Sequence, residues 1–301
     1  MDLAQSPRQS LGRARALTRR TVLATAVAVT ASGACAGQPS SAARRIDGIV
    51  WQLSRQTLRP RGGWERLGVR RLLVQWSAVD GQSFVEGAGL PLIGPDLPDW
   101  YRIASEPWAR DVILGLSGLH DEAWSRASLK ELAAQSRALA LAAAPLPLRV
   151  SGWYFPAEVD PTWAGPELLA ETLRELPRPL WISAYDSANL GPGALADWIE
   201  RWLPRDVGVF FQDGVGVHAR TPEVARDYLV HLTRRLGPSR VRVIAEAFRP
   251  APNGGFRSAT ADEFLPQIDA YQAWPIYAFD GPHYLGDERV RELVARGVGP
   301  G

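Results

Sequence analysis

One cysteine, one methionine and one lysine stand among 301 residues. The lone Cys35 excludes an internal disulfide, so the fold must stand on its core even in an oxidising compartment. Lys130 beside 33 arginines reflects coding bias rather than a function. Beyond the first forty residues no stretch is long and apolar enough for a transmembrane helix. No GxSxG elbow or phosphate-binding loop is present, which removes the usual serine-hydrolase and nucleotide readings. The four histidines show no H-x-H or H-E-x-x-H spacing, so no metal and no cofactor is expected. His218 and His283 with Asp213 and Asp280 would be the only set worth testing for one. No internal repeat is visible beyond a strand–helix alternation.

The net charge of +2 conceals an uneven distribution. Arg8, Arg13, Arg15, Arg19 and Arg20 oppose only Asp2 in residues 1–35. Without that segment 29 basic residues face 31 acidic ones, a net charge of −2. A near-neutral body lacks the basic patch of a nucleic-acid binder. The basic start leads through Thr18-Arg19-Arg20-Thr21-Val22-Leu23 into a short apolar run at 24–34. That pattern resembles a bacterial twin-arginine export signal, with a general secretory signal as the alternative. Ser32-Gly33-Ala34-Cys35 resembles a lipoprotein cleavage site that would make Cys35 a lipidated first residue. Alternatively, Ala34-Cys35-Ala36 is an A-x-A site that discards the cysteine. The expected organisation is an export signal over 1–36, a flexible tether over 37–45 and one domain over 46–301. The expected location is the periplasm, or the bacterial envelope with a lipid attachment through Cys35.

A hydrophobic fraction of 46% with 22% charged residues suits a globular domain with a large core. Eight short apolar stretches, at 46–53, 71–80, 111–118, 148–156, 180–186, 207–213, 241–248 and 276–280, alternate mostly with helical segments. Helices are expected over 125–144, 165–176, 194–203, 261–272 and 287–295, and another opens at Thr221-Pro222 and closes at Gly237. Between the first two strands only 64–68 suits a helix, and 81–98 reads as a long loop over the scaffold. Eight such units in one α/β chain predict a single (β/α)8 barrel. The rival Rossmann sheet would carry a glycine-rich turn after strand one, where Leu53-Ser54-Arg55-Gln56 stands instead.

In a barrel the C-terminal strand ends form the active-site face. Strand four runs through Trp153-Tyr154-Phe155-Pro156-Ala157-Glu158, and Pro156 predicts that the strand stops there, leaving Glu158 in a loop. Strand seven carries Glu246 in an apolar run, where an ionised carboxylate is costly unless paired or kept for chemistry. Two facing carboxylates, one protonated and one ionised, can hydrolyse a glycosidic bond. The alternative is that either glutamate pairs with an arginine such as Arg242 or Arg249. Strand six ends Gln212-Asp213-Gly214, where Gly214 and Gly216 would turn Asp213 into the mouth. A turn-capping role is the competing reading for Asp213, and it is the favoured one for Asp80, Asp186 and Asp280.

The glutamates at strands four and seven resemble the acid/base and the nucleophile of clan A glycoside hydrolases, although Ala157 stands where that clan carries asparagine. A closer resemblance comes from Trp153 to Glu158, Ile182-Ser183-Ala184-Tyr185 and Phe211-Gln212-Asp213-Gly214-Val215-Gly216. These blocks are similar to those of a family of bacterial secreted barrels of unassigned chemistry related to glycosidases. The resemblance implies the barrel more firmly than any activity. Twelve tryptophans add aromatic faces that stack on sugar rings, though most such residues pack cores. Trp76, Trp153, Tyr154, Tyr185, Gln212, Asp213, His218 and Asp280 are the expected sugar-binding set. The predicted function is a retaining glycosidase-like enzyme on a polysaccharide or oligosaccharide, with Glu158 as acid/base and Glu246 as nucleophile. A non-catalytic carbohydrate-binding barrel in polysaccharide export or surface assembly is the alternative. Oligomeric state has no signal in the sequence.

Overall fold

The computed structural model describes residues 44–300. The export signal, Cys35 and most of the expected tether lie outside the described residues. Eight parallel strands close into a barrel: β1 Gly48–Trp51, β2 Arg71–Val74, β3 Asp111–Gly115, β4 Val150–Val159, β5 Leu180–Ala184, β6 Val207–Gln212, β7 Val241–Glu246 and β8 Ile276–Phe279. Each strand pairs with its neighbour in sequence, and β8 closes on β1 with Gly48 beside Tyr277. The strands read as unbroken apolar runs because both faces of a barrel sheet are covered. The inner face stacks Val50, Leu73, Ile113, Tyr154, Trp181, Phe210, Ile244 and Tyr277 into a layer with one side chain from every strand. The barrel is therefore a packed core rather than a pore. Arg242 enters this interior with its guanidinium 3.7 Å from the Trp181 ring centre and donates to the Tyr277 hydroxyl at 3.1 Å.

The outer layer comprises α1 Trp100–Ser105, α2 Glu122–Ala127, α3 Leu129–Ala142, α4 Glu167–Arg174, α5 Pro192–Trp202, α6 Pro222–Leu236, α7 Ala261–Tyr271, the four-residue α8 Gly281–Tyr284 and α9 Asp287–Ala295. Local chemistry sets several ends. Thr221 caps α6 by accepting from the Val224 N–H, and Thr260 with Glu263 forms a capping box on α7. The helix expected over 125–144 is two helices, broken at Ser128 and starting earlier, because Asp121 caps α2 through the Trp124 N–H. A hairpin of Phe248–Pro250 with Phe256–Ser258 rises beyond β7. Beyond β2 and β3, short strands Ala78–Val79 and Ser117–Gly118 form a small sheet with Gln82–Ser83 of the long loop.

Strand β4 departs from expectation. It continues through Pro156 to Val159, so Glu158 is a strand residue rather than a loop residue. Pro156 is tolerated because the ladder is interrupted around it: Phe155 pairs with Ile182, and the next pair is Val159 with Ala184. Residues 156–158 thus face the single residue Ser183, a bulge that needs no N–H from proline. The bulge also needs Gly118, since a Cβ there would lie 2.5 Å from the Pro156 ring.

Candidate active site

Glu158, Gln212 and Glu246 come from the C-terminal ends of β4, β6 and β7. Glu158 is half-buried, and its Oε2 accepts a hydrogen bond from Gln212 Nε2 across the intervening strand β5. Burial is the main influence on Glu158 and pushes its carboxyl up to about 8; the Glu122 charge adds to this, while Gln212 and Arg126 oppose it. At neutral pH Glu158 therefore carries a proton that it can donate.

Glu246 is 6% exposed. Its Oε2 accepts from the Val217 N–H at 3.3 Å, in the loop that follows β6. Gly216 makes that approach feasible: a Cβ there would lie 2.6 Å from Glu246 Cβ and 2.8 Å from its Oε2. Burial first, then the Asp213 charge, raise the Glu246 carboxyl above the ordinary range; the Gly216 and Val217 N–H groups and Arg220 oppose them.

Asp213 behaves differently from its sequence reading. It is fully buried and turned toward α7 instead of the mouth. Its Oδ1 accepts from the Val215 and Glu246 N–H groups, both at 3.2 Å. Its Oδ2 accepts from Gln267 Nε2 at 2.6 Å and the Tyr271 hydroxyl at 3.1 Å. All four lone-pair directions are used, so no sugar hydroxyl can be bound there. Burial raises this carboxyl and the four donors oppose that rise. Four donors suit an anion and leave no place for a carboxyl proton, so within the pair the proton rests on Glu246.

Neither catalytic candidate is locked to an arginine: no ion pair involves Glu158 or Glu246 among the described residues. Arg242 lies inside the barrel. Arg249 donates to the Glu246 backbone oxygen at 3.2 Å and to Gln267 Oε1 at 2.7 Å, bracing β7 without touching the carboxylate.

Tyr185 is half-buried after β5, and the charges of Glu158, Glu246, Asp213 and Arg220 all act on its phenol. Its ring fills the space above Gly214, with the Arg220 guanidinium 5.0 Å from the ring centre. Tyr185 and Gln212 thus stay with the carboxylates. Trp153, Tyr154 and Trp76 do not. Trp153 faces the outer core, because strand residues alternate and Tyr154 takes the inward place. Tyr154 is buried in the inner layer, edge-on to Phe210 at 6.1 Å. Trp76 is 4% exposed and donates to the Leu53 carbonyl at 2.8 Å, a packing role. His218 is exposed in the loop after β6.

The strand-end aspartates mostly stitch loops, as their turn chemistry predicts. Asp186 accepts from the Leu190 and Gly191 N–H groups and the Tyr228 hydroxyl at 2.6–2.9 Å. Asp280 caps α8 and accepts from the Gln52 N–H at 3.0 Å, joining β8 to β1. His283 Nδ1 lies 2.9 Å from Asp280 Oδ2, and His120 Nδ1 lies 2.6 Å from Asp80 Oδ2. Neither pair grows into a cluster of three metal-ligating side chains among the described residues. Sequence reasoning missed Glu122, Arg126, Gln267 and Tyr271. The last two carry a signal, since their i, i+4 spacing puts polar tips on the buried face of α7.

The sequence matches no protein-family model and no curated protein. Solved structures do resemble it. A candidate alpha-L-fucosidase from Bacteroides thetaiotaomicron superposes with a TM-score of 0.59 at 14% identity, over 90% of this chain and 98% of that one. The spore cortex-lytic enzyme SleL of Bacillus megaterium gives 0.51 at 13% identity, over 87% and 76% respectively. What this chain shares with them is the closed barrel of eight parallel strands. At such identities the likeness carries the architecture, and chemistry must come from the site itself.

Proposed function

We propose that this barrel is a glycoside hydrolase acting on a polysaccharide or oligosaccharide by a retaining two-carboxylate mechanism. The observation that supports the reading is the pair Glu158 and Glu246 at the C-terminal ends of β4 and β7, neither in an ion pair among the described residues, with burial and the Glu122 charge pushing the Glu158 carboxyl up. Glu158 donates its proton to the glycosidic oxygen as that bond breaks. Glu246, once ionised, attacks the anomeric carbon and forms a glycosyl ester. Glu158, now a carboxylate, takes a proton from the water that cleaves the ester, and both groups return to their starting states. In this reading Tyr185 and Gln212 orient the sugar between the two carboxylates.

The test is hydrolysis of a panel of 4-nitrophenyl glycosides and reducing-end oligosaccharides, with the product anomer followed by proton NMR. Glu246→Gln should abolish turnover in a folded protein. Glu158→Gln should lose about 10²–10⁴-fold on poor leaving groups and far less on nitrophenol, which needs little protonation. Near-normal turnover by Glu246→Gln removes this mechanism. Saturable sugar binding with no product, unaltered by Glu246→Gln, indicates the carbohydrate-binding barrel instead, a reading that Ala157 before Glu158 favours. Export through the Arg19-Arg20 signal and attachment through a lipidated Cys35 complete the proposal, and they place the enzyme where polysaccharide is found.

A further inference from the structure

The bulge in β4 poses a physical problem at Glu158. A strand residue is normally aimed by ladder hydrogen bonds on both sides, yet residues 156–158 have only Ser183 opposite them on β5. Peptide groups in such a bulge are free to rotate, and a catalytic carboxyl on one of them would swing with it. The structure holds this peptide from a different element. Glu122 Oε2 on α2 accepts from the Glu158 N–H at 3.2 Å. One helical turn later, Arg126 Nη2 donates to the Glu158 carbonyl oxygen at 3.2 Å. Arg126 is itself fixed, with its guanidinium 5.0 Å from the Trp163 ring centre, and that ring stacks on Trp198.

We infer that Glu122 and Arg126 are positioning residues for Glu158, gripping the backbone N–H and C=O on either side of its Cα where the β-ladder lapses. This rests on the glycosidase reading for its consequence, though the grip itself is independent of it. The spacing is apt, because residues i and i+4 share one face of α2 and so reach the two peptide groups that flank one residue. The Asp121 cap fixes where the helix begins, and therefore which residues form that face. The same two side chains exert opposite electrostatic effects. The Glu122 charge favours the protonated form of Glu158, and the Arg126 charge favours the ionised form. The other groups around the carboxyl are Asp160 beyond β4, which adds to the Glu122 effect, neutral Gln212 from β6, and the phenols of Tyr154 below and Tyr185 on the β5 side.

The experiment is a carbon-13 NMR titration of the Glu158 side-chain carboxyl in protein labelled at glutamate, with Glu158→Gln identifying the resonance. It is run on wild type, Glu122→Gln and Arg126→Met, beside pH profiles of kcat and KM on 4-nitrophenyl glycosides. Glu122→Gln keeps an oxygen acceptor for the N–H but removes the charge, so the Glu158 midpoint should fall by about one pH unit. Arg126→Met can still cover Trp163 but loses the cation, so the midpoint should rise by a similar amount. Glu122→Ala also loses the acceptor and should reduce kcat on the order of tenfold below Glu122→Gln, with a smaller change in KM. Opposite shifts from two neighbouring substitutions are not produced by general loosening of a loop. Midpoints in both variants within 0.2 unit of wild type would overturn the inference, with ~0.2 taken as a small part of an ordinary charge effect. The titration needs no turnover, so a protein inactive on every glycoside but showing both shifts would refute the glycosidase reading alone.

Discussion

Replacing Glu158 with glutamine should stabilise the protein at pH 7 and leave it nearly unchanged at pH 4. Glutamine has the shape of the neutral carboxyl and can still accept from Gln212 through its side-chain oxygen. In the unfolded chain Glu158 ionises near the ordinary glutamate value of 4.5, whereas the folded site delays ionisation to about 8. Below 4.5 both states are protonated and the carboxyl imposes no penalty. As pH rises from there the unfolded chain is increasingly favoured, until the folded carboxyl also ionises near 8 and the penalty levels off. At pH 7 the unfolded chain has gained about 2.5 pH units of ionisation that the folded one has not, equivalent to about 3 kcal/mol at 1.36 kcal/mol per unit. Water reaching the open side of this half-buried group reduces that, so about 1.5–3 kcal/mol is the expected gain. In a domain of this size it raises the melting temperature by about 3–12 °C. Differential scanning fluorimetry of wild type and variant from pH 4 to pH 9 reads it directly. The gap should open between pH 4.5 and 8 and then stay constant. A gap independent of pH would show that Glu158 titrates normally, and would remove the reason for making it the acid.

Activity of the wild type should be bell-shaped in pH. It rises as Glu246 ionises, above the ordinary carboxylate range, and falls as Glu158 loses its proton near 8; a plateau extending down to pH 4 would show that burial and Asp213 do not raise the Glu246 carboxyl. Asp213→Asn should destabilise by about 2–4 kcal/mol in urea titrations, because an amide group must face two or more donors in a buried site. The same variant should move the acidic limb of the profile downward, since the anion that raises Glu246 is gone. Gly216→Ala should cut kcat strongly and also lower the melting temperature, because the new Cβ would lie 2.6 Å from Glu246 Cβ and 2.8 Å from its Oε2 at a buried position; unaltered kinetics would show that the loop yields without moving Glu246. Cys35→Ser should shift the protein from the membrane fraction to the soluble periplasmic fraction, and Arg19→Lys with Arg20→Lys should leave it in the cytoplasm; unchanged fractionation counts against the signal.

The barrel itself was legible in the sequence. Parallel strands covered on both faces must be apolar throughout, and eight such runs separated by helical segments have few other ways to bury themselves. Because all eight strand ends share one rim, the order of the runs also puts Glu158 and Glu246 at the same face. Caps at Thr221 and Asp280 were readable for the same reason, since the groups involved lie within a few residues of each other.

Only the tertiary structure decided what surrounds those glutamates. Proline marks a strand end by local rules, yet β4 continues past Pro156 because Gly118, on a different strand, leaves room for the ring. Asp213 before a glycine reads as a turn residue and does accept from the Val215 N–H, but its other oxygen is claimed by Gln267 and Tyr271 more than fifty residues away. The grip of α2 on Glu158 joins residues 32 and 36 positions apart. Periodicity and capping are written within a turn or two of chain. Partners brought together by closing a ring of strands are set by three-dimensional packing, and no local pattern in the sequence encodes them.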